Sequence, residues 1–264
     1  MSKIEPLPQA ECQRLFQEHL YQLDPTQPVP VQSIASSLET AGVCCLRGLV
    51  TAAEVTGVRE RFRDQFSRDD DRPGVGESQG DVQRNFQKLR VGISPPKPMN
   101  SRLVRTIYNP LWDEDLFGMH ALFRRMIRVR NALLGAAEDF ALTQPEQGLW
   151  TAARLQHYPR GGGFMSAHRD ELIIDATADR GLDHFQLLLM LSQKGVDYQR
   201  GGGFTIRDER FVDTEQFCEL GDMVVYDSRS VHGVDTIDPQ EMLDLETTSG
   251  RLVAFVTLYR DLTG

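Results

Sequence analysis

The chain has 264 residues, four cysteines and a formal net charge of −9, with 40% hydrophobic and 25% charged residues. That composition suits one large soluble domain, and no apolar run approaches the roughly 20 residues of a membrane span. The acidity argues against general nucleic-acid binding, which needs a surface that neutralises phosphates.

The first residues, "MSKIEPLPQAECQR", contain no apolar core and no small-residue cleavage site, so a cytoplasmic protein is expected. The cysteines (Cys12, Cys44, Cys45, Cys218) form no C-x-x-C pair and read as reduced thiols. "GVCCLRGLV" is short, apolar and β-branched enough for a strand, on which Cys44 and Cys45 would point to opposite faces. Val55, Val58, Phe62 and Phe66 then recur at helical spacing, predicting an amphipathic helix over 51–67.

"SRDDDRPGVGESQGD" and "GISPPKPMN" break regular structure, so 68–100 is expected to be a long loop, a lid or substrate-binding segment. From Arg84 to Arg105 there are six basic residues and no acidic one, and "FRRMIRVR" follows at 123–130. Such runs are usually solvated faces; because this one opposes the global charge, it also suggests a field for an anionic small molecule, with Arg84 and Arg90 as contacts. Leu122, Met126, Val129, Leu133 and Phe140 predict one long helix over 113–142.

Past Gly148 the texture becomes β. "LWTAARLQHYP", "DHFQLLLMLSQ", "GGGFTI", "GDMVVYDS" and "RLVAFVTLYRD" read as short strands separated by turn residues. The fold class expected is α+β: a mainly helical region over 1–148, belonging to the same domain as a β core over 149–264.

"FMSAHRDELII" contains His-Arg-Asp, which opens protein-kinase catalytic loops, but the chain has no Asp-Phe-Gly and no upstream Gly-x-Gly-x-x-Gly. On a strand, His168 and Asp170 would share one face, offering an imidazole nitrogen and a carboxylate oxygen to a divalent metal. His232, in "VVYDSRSVHGV", supplies a third ligand from a distant strand, and two histidines with one carboxylate suit iron(II) with open positions. His-x-Asp alone is more often a turn or a cap, and His232 alone a structural histidine; the combination is what carries weight.

Arg251 opens the last strand, on the same face as Val253, Phe255, Thr257 and Tyr259. A buried guanidinium needs a carboxylate, either an internal acid or that of a bound ligand. Tyr158 lies on a nearby strand, where Arg154, Gln156 and Tyr158 alternate onto one face; an inward polar row suits a binding cavity, with Arg154 and Gln156 as substrate contacts. The first "GGGF" (161–164) reads as a hairpin turn between the Tyr158 and His168 strands, and the second (201–204) as a strand opening where glycine permits close approach.

"RLQHYPRGGGFMSAHRD", "GDMVVYDSRSVHGV" and "GRLVAFVTLYRD" resemble the 2-oxoglutarate- and iron(II)-dependent dioxygenases, in their prolyl-hydroxylase-like and phytanoyl-CoA-hydroxylase-like branches, over 149–261. The resemblance implies a double-stranded β-helix (jelly-roll, cupin-like) core packed against N-terminal helices. It implies iron(II) on His168, Asp170 and His232, and 2-oxoglutarate gripped at its far carboxylate by Arg251, with Tyr158 beside it. Oxygen would be the other co-substrate, and a C–H bond of a small molecule would be hydroxylated with release of succinate and carbon dioxide. Arg251 follows His232 by nineteen residues, more than many members allow, so an inserted loop is expected between them. The same chemistry on a protein side chain, a non-redox metal-binding barrel and a metal-dependent isomerase are the alternatives.

Overall fold

The computed structural model describes residues 4–66, 85–90, 101–227 and 229–261. Its helices are α1 (Gln9–Glu18), α2 (Val31–Ala41), α3 (Ala52–Phe66), α4 (His120–Leu134) and α5 (Glu171–Ala178). Its strands are β1 (Glu5–Pro6), β2 (Leu20–Gln22), β3 (Val43–Arg47), β4 (Phe86–Arg90), β5 (Ser101–Arg102), β6 (Val104–Tyr108) and β7 (Leu149–Pro159). They continue with β8 (Phe164–His168), β9 (Phe185–Met190), β10 (Gly202–Arg207), β11 (Arg210–Asp213), β12 (Met223–Asp227), β13 (Val231–Asp235) and β14 (Gly250–Arg260). No helix among the described residues is long and apolar enough to cross a membrane.

The strands form two mixed sheets of a β-sandwich. The larger runs β2-β3-β12-β9-β14-β7-β6-β4 and the smaller β1-β11-β10-β13-β8-β5. The spine of the larger sheet is the antiparallel pair β7 and β14, matched along its length from Arg251 opposite Tyr158 to Tyr259 opposite Trp150. Strands β2, β3, β4 and β6, which precede residue 149, extend this sheet on both sides, so the N-terminal region contributes strands as well as helices.

Strand alternation sorts the larger sheet into two faces. On the outer face Leu187, Leu189, Leu252, Ala254, Val256 and Leu155 join one core with Val55, Val58 and Phe62 of α3 and Leu122, Phe123 and Met126 of α4. Cys44 belongs to that core and Cys45 to a separate inner cluster with Leu188, Val224 and Phe255, so the adjacent thiols do part to opposite faces. Helix α3 begins with a capping box: the Thr51 amide donates to Glu54 Oε2 at 2.9 Å and the Glu54 amide to Thr51 Oγ1 at 3.2 Å.

Four expectations change, the first being the long loop expected over 68–100, within which Phe86–Arg90 forms β4 against β6. The helix expected over 113–142 is confined to α4, because Asp115 accepts from the Met119 amide at 2.8 Å and Gly135 ends the helix at φ 64°. Phe140 is buried beyond that end, so the helical spacing overran a real boundary. The first GGGF is no hairpin: β7 and β8 lie in different sheets, and the turn carries the chain between them. Glycine is required there, since a Cβ on Gly163 would stand 2.7 Å from Tyr158 Cβ. Last, "ELIIDATA" forms α5, directly after the His-Arg-Asp triplet.

Candidate metal centre

Strand β8 ends at His168, so Asp170 does not share a strand with it. Asp170 occupies the N-cap position of α5, where its carbonyl accepts from the Ile174 amide at 2.9 Å. The chain turn brings its carboxylate back over the strand end all the same. His232 stands directly opposite His168 on β13, with ring centroids 4.4 Å apart. The β8–β13 register shifts just beyond this pair, and Gly233 permits the approach, because a Cβ there would lie 2.8 Å from the Met165 carbonyl oxygen.

One ligand atom from each of His168, Asp170 and His232 lies within 4.8 Å of the other two. His168 Nδ1 is 2.8 Å from the Ser166 carbonyl and His232 Nδ1 is 2.9 Å from that of Ser230. A carbonyl only accepts, so each Nδ1 carries the proton and each Nε2 keeps its lone pair. Those Nε2 atoms face Asp170 at 3.6 and 3.4 Å. Two lone pairs directed at a carboxylate repel unless a proton or a cation lies between, and this donor set suits a divalent transition metal.

The electrostatics agree. Burial works against charge on His168, yet the Asp170 carboxylate outweighs it and raises the His168 pKa. At His232 burial wins and the pKa falls. Burial would raise the Asp170 pKa, but the histidines and Gln186 hold it well below the usual carboxylate range. Gln186 Nε2 donates to Asp170 Oδ2 at 2.7 Å, and Thr257 Oγ1 donates to Gln186 Oε1 at 3.2 Å. Such outer partners orient a metal-bound carboxylate. The sequence marked Thr257 only as sharing the face of Arg251 and did not mark Gln186, although both fall on inward strand positions.

Arg251 is 1% exposed and its internal acid is Glu215. Its Nε lies 2.9 and 3.0 Å from the two Glu215 oxygens and its Nη2 lies 2.5 Å from Oε1. The Tyr158 ring lies 5.0 Å from the guanidinium carbon, and the Tyr158 hydroxyl donates to Gln156 Oε1 at 2.9 Å. Arg251 and Tyr158 are thus brought together, while Glu215 and its neighbour Tyr198 were missed; "GGGF", Glu215 and Arg251 are too far apart in sequence to betray contact.

Arg154 and Gln156 lie on the inner face with Tyr158. Arg154 is buried between Phe255 and Tyr259, at 5.1 and 5.0 Å from their ring centres. Of the basic run, the described side chains Arg102 and Arg105 stack on different rings. Arg105 stacks at 4.4 Å on Phe66 of the outer core, and Arg102 lies 5.9 Å from the Phe164 ring. Arg90 ends β4 opposite Val104, and Arg84 lies outside the described residues, as does most of the expected lid. In the second cluster Arg125 pairs with Glu54 at 2.7 Å and Arg130 is buried among neutral acceptors, so these arginines tie α4 to its surroundings.

No family model matches the sequence and no curated protein does. Solved structures do match. SnoN, the non-heme α-ketoglutarate-dependent epimerase from nogalamycin biosynthesis, aligns with a TM-score of 0.53 at 14% identity, over 87% of this chain and 82% of its own. A Trichoplax adhaerens prolyl hydroxylase, solved with a hypoxia-inducible-factor peptide, aligns at 0.52 and 12% identity over 91% and 97%. A Pseudomonas putida prolyl-4-hydroxylase aligns at 0.51 and 16% identity over 86% and 98%. At these identities the likeness is one of fold, shared with an α-ketoglutarate-dependent epimerase and with two prolyl hydroxylases.

Proposed function

We propose that this chain is an iron(II)- and 2-oxoglutarate-dependent oxygenase that hydroxylates a C–H bond of a small molecule. The observation that carries the reading is the convergence of two imidazole lone pairs and one carboxylate at the end of β8. His168, Asp170 and His232 would hold the iron, which with the keto acid supplies the oxidation of an unactivated bond by oxygen. Arg251 would bind the far carboxylate of the keto acid, with Tyr158 as the wall beneath its guanidinium. Arg154, framed by two aromatic rings, and Gln156 would orient the substrate; buried aromatic side chains around them would exclude water.

The shared fold supports the class and leaves the substrate open, since the matched structures include an epimerase from nogalamycin biosynthesis and prolyl hydroxylases. The Arg251–Glu215 pair favours a second reading, a metal-binding barrel that takes no keto acid, because its arginine is already neutralised. One titration separates the two. Anaerobic iron(II)-loaded protein should develop a weak visible charge-transfer band as 2-oxoglutarate is added, and His168→Ala should show none. Tight iron binding without a band would favour the second reading. Product mass spectrometry on cell extract then distinguishes a small molecule from a protein substrate.

A further inference from the structure

We propose that Glu215 is a positioning residue for Arg251: seated on Gly202 and Gly203, it grips one edge of the guanidinium and presents Nη1 to the far carboxylate of a 2-oxo dicarboxylic acid. The inference rests on the function proposed above and adds to it a residue outside the metal ligands.

The two partners of the ion pair are unequally satisfied. Glu215, 2% exposed, accepts from Arg251 Nε and Nη2, from the Tyr198 hydroxyl and from the Gly203 amide. Its carboxylate has no further need. Arg251 Nη1, by contrast, is buried with no acceptor among the described residues. A buried N–H without a partner is costly, more so on a charged group. The unmet group is therefore a donor, Nη1, on the guanidinium edge that Glu215 does not grip.

The socket is built for the carboxylate. A Cβ on Gly203 would stand 2.5 Å from Glu215 Oε1, and one on Gly202 would stand 3.0 Å from Oε2 and 3.1 Å from the Tyr198 oxygen. The second glycine run thus makes room for an acid against the backbone of β10. With Nε and Nη2 committed to a carboxylate that the Tyr198 hydroxyl and the Gly203 amide also hold, and the Tyr158 ring beneath the guanidinium, the guanidinium cannot rotate to meet a ligand another way. Preorganisation of this kind lowers the loss of freedom on binding. It also introduces a second negative charge beside the incoming carboxylate, so positioning must outweigh repulsion for the inference to hold.

The test compares two keto acids by the charge-transfer band of the anaerobic iron(II)-loaded full chain. 2-Oxoglutarate has the far carboxylate and 2-oxobutyrate lacks it. Glu215→Gln should weaken 2-oxoglutarate roughly tenfold or more, the scale of a charged hydrogen bond, and leave 2-oxobutyrate unchanged. In an Arg251→Gln background the same change should add nothing. Gly203→Ala, which displaces the carboxylate without altering charge, should act in the same direction and serves if Glu215→Gln does not fold. Unchanged or tighter 2-oxoglutarate binding in these variants would overturn the inference, as would equal weakening of both acids. A wild-type chain that gives no band with either acid would instead refute the function on which the inference rests.

Discussion

The two faces of the larger sheet come from the same strands and obey different chemistry. On β9 and β14 the outward residues Leu187, Leu189, Leu252, Ala254 and Val256 share a core with α3 and α4. The inward residues one position away include Gln186, Thr257 and Arg251, all buried. Burying polar groups costs free energy unless each is paired, and the inward ones are paired in a chain that leads from Thr257 through Gln186 to Asp170. The difference separates two kinds of burial: the outer face is packed apolar core, and the inner face sets a polar row beside its own apolar cluster of Leu188, Val224 and Phe255, the row that the proposed function uses.

Substitutions on the two faces should therefore fail in different assays. The largest effect is expected at the ligands. His168→Ala or His232→Ala should lower iron(II) affinity by more than the roughly 10–100-fold typical of outer partners, measured by anaerobic calorimetry, with the thermal midpoint of the metal-free protein little changed. Retained affinity in both variants would remove the metal centre.

On the outer face, Leu189→Ala should destabilise the fold by about 2–5 kcal/mol through the cavity it leaves. Denaturant unfolding measures that, and iron affinity of the folded fraction should stay unchanged. A matching loss of metal affinity would mean that the faces are coupled and the comparison too simple.

His157 gives the outer face a pH signature. It packs against Phe62 and Phe66, and burial pushes its pKa down to about 4. The unfolded chain takes up its proton near pH 6.5, so between about 6.5 and 4 the unfolded state binds more protons than the folded one. His157 therefore contributes full stability above that window, and on the order of 3 kcal/mol is lost as pH falls through it. His157→Gln should show a smaller difference between urea midpoints at pH 7 and pH 4.5; an equal difference would assign the effect elsewhere.

Much of this contrast could be read from the sequence, because strand parity survives folding: Arg154, Gln156 and Tyr158 face inward, as does Arg251. The helical spacing of Val55, Val58, Phe62 and Phe66 likewise marked α3. What parity could not reveal was Asp170 leaving the strand to begin α5, since a helix start and a strand end look alike over three residues. Nor could it reveal Glu215, which follows β11 of the smaller sheet and meets Arg251 of β14 in the larger one. Local pattern names a residue's face; only topology names its partner.

The smallest effect expected, and the most discriminating, is at Gln186. Gln186→Leu keeps the volume and removes the donor that fixes Asp170 Oδ2, so iron affinity should fall about tenfold while the unfolding midpoint moves little. Thr257→Val removes only the support for that amide, through a longer contact of 3.2 Å, and should act in the same direction by less. The two variants order the inner row by distance from the metal. If Gln186→Leu instead lowers stability and spares iron affinity, the polar inner row serves packing. The contrast between the faces would then be one of composition, with no division between fold and function.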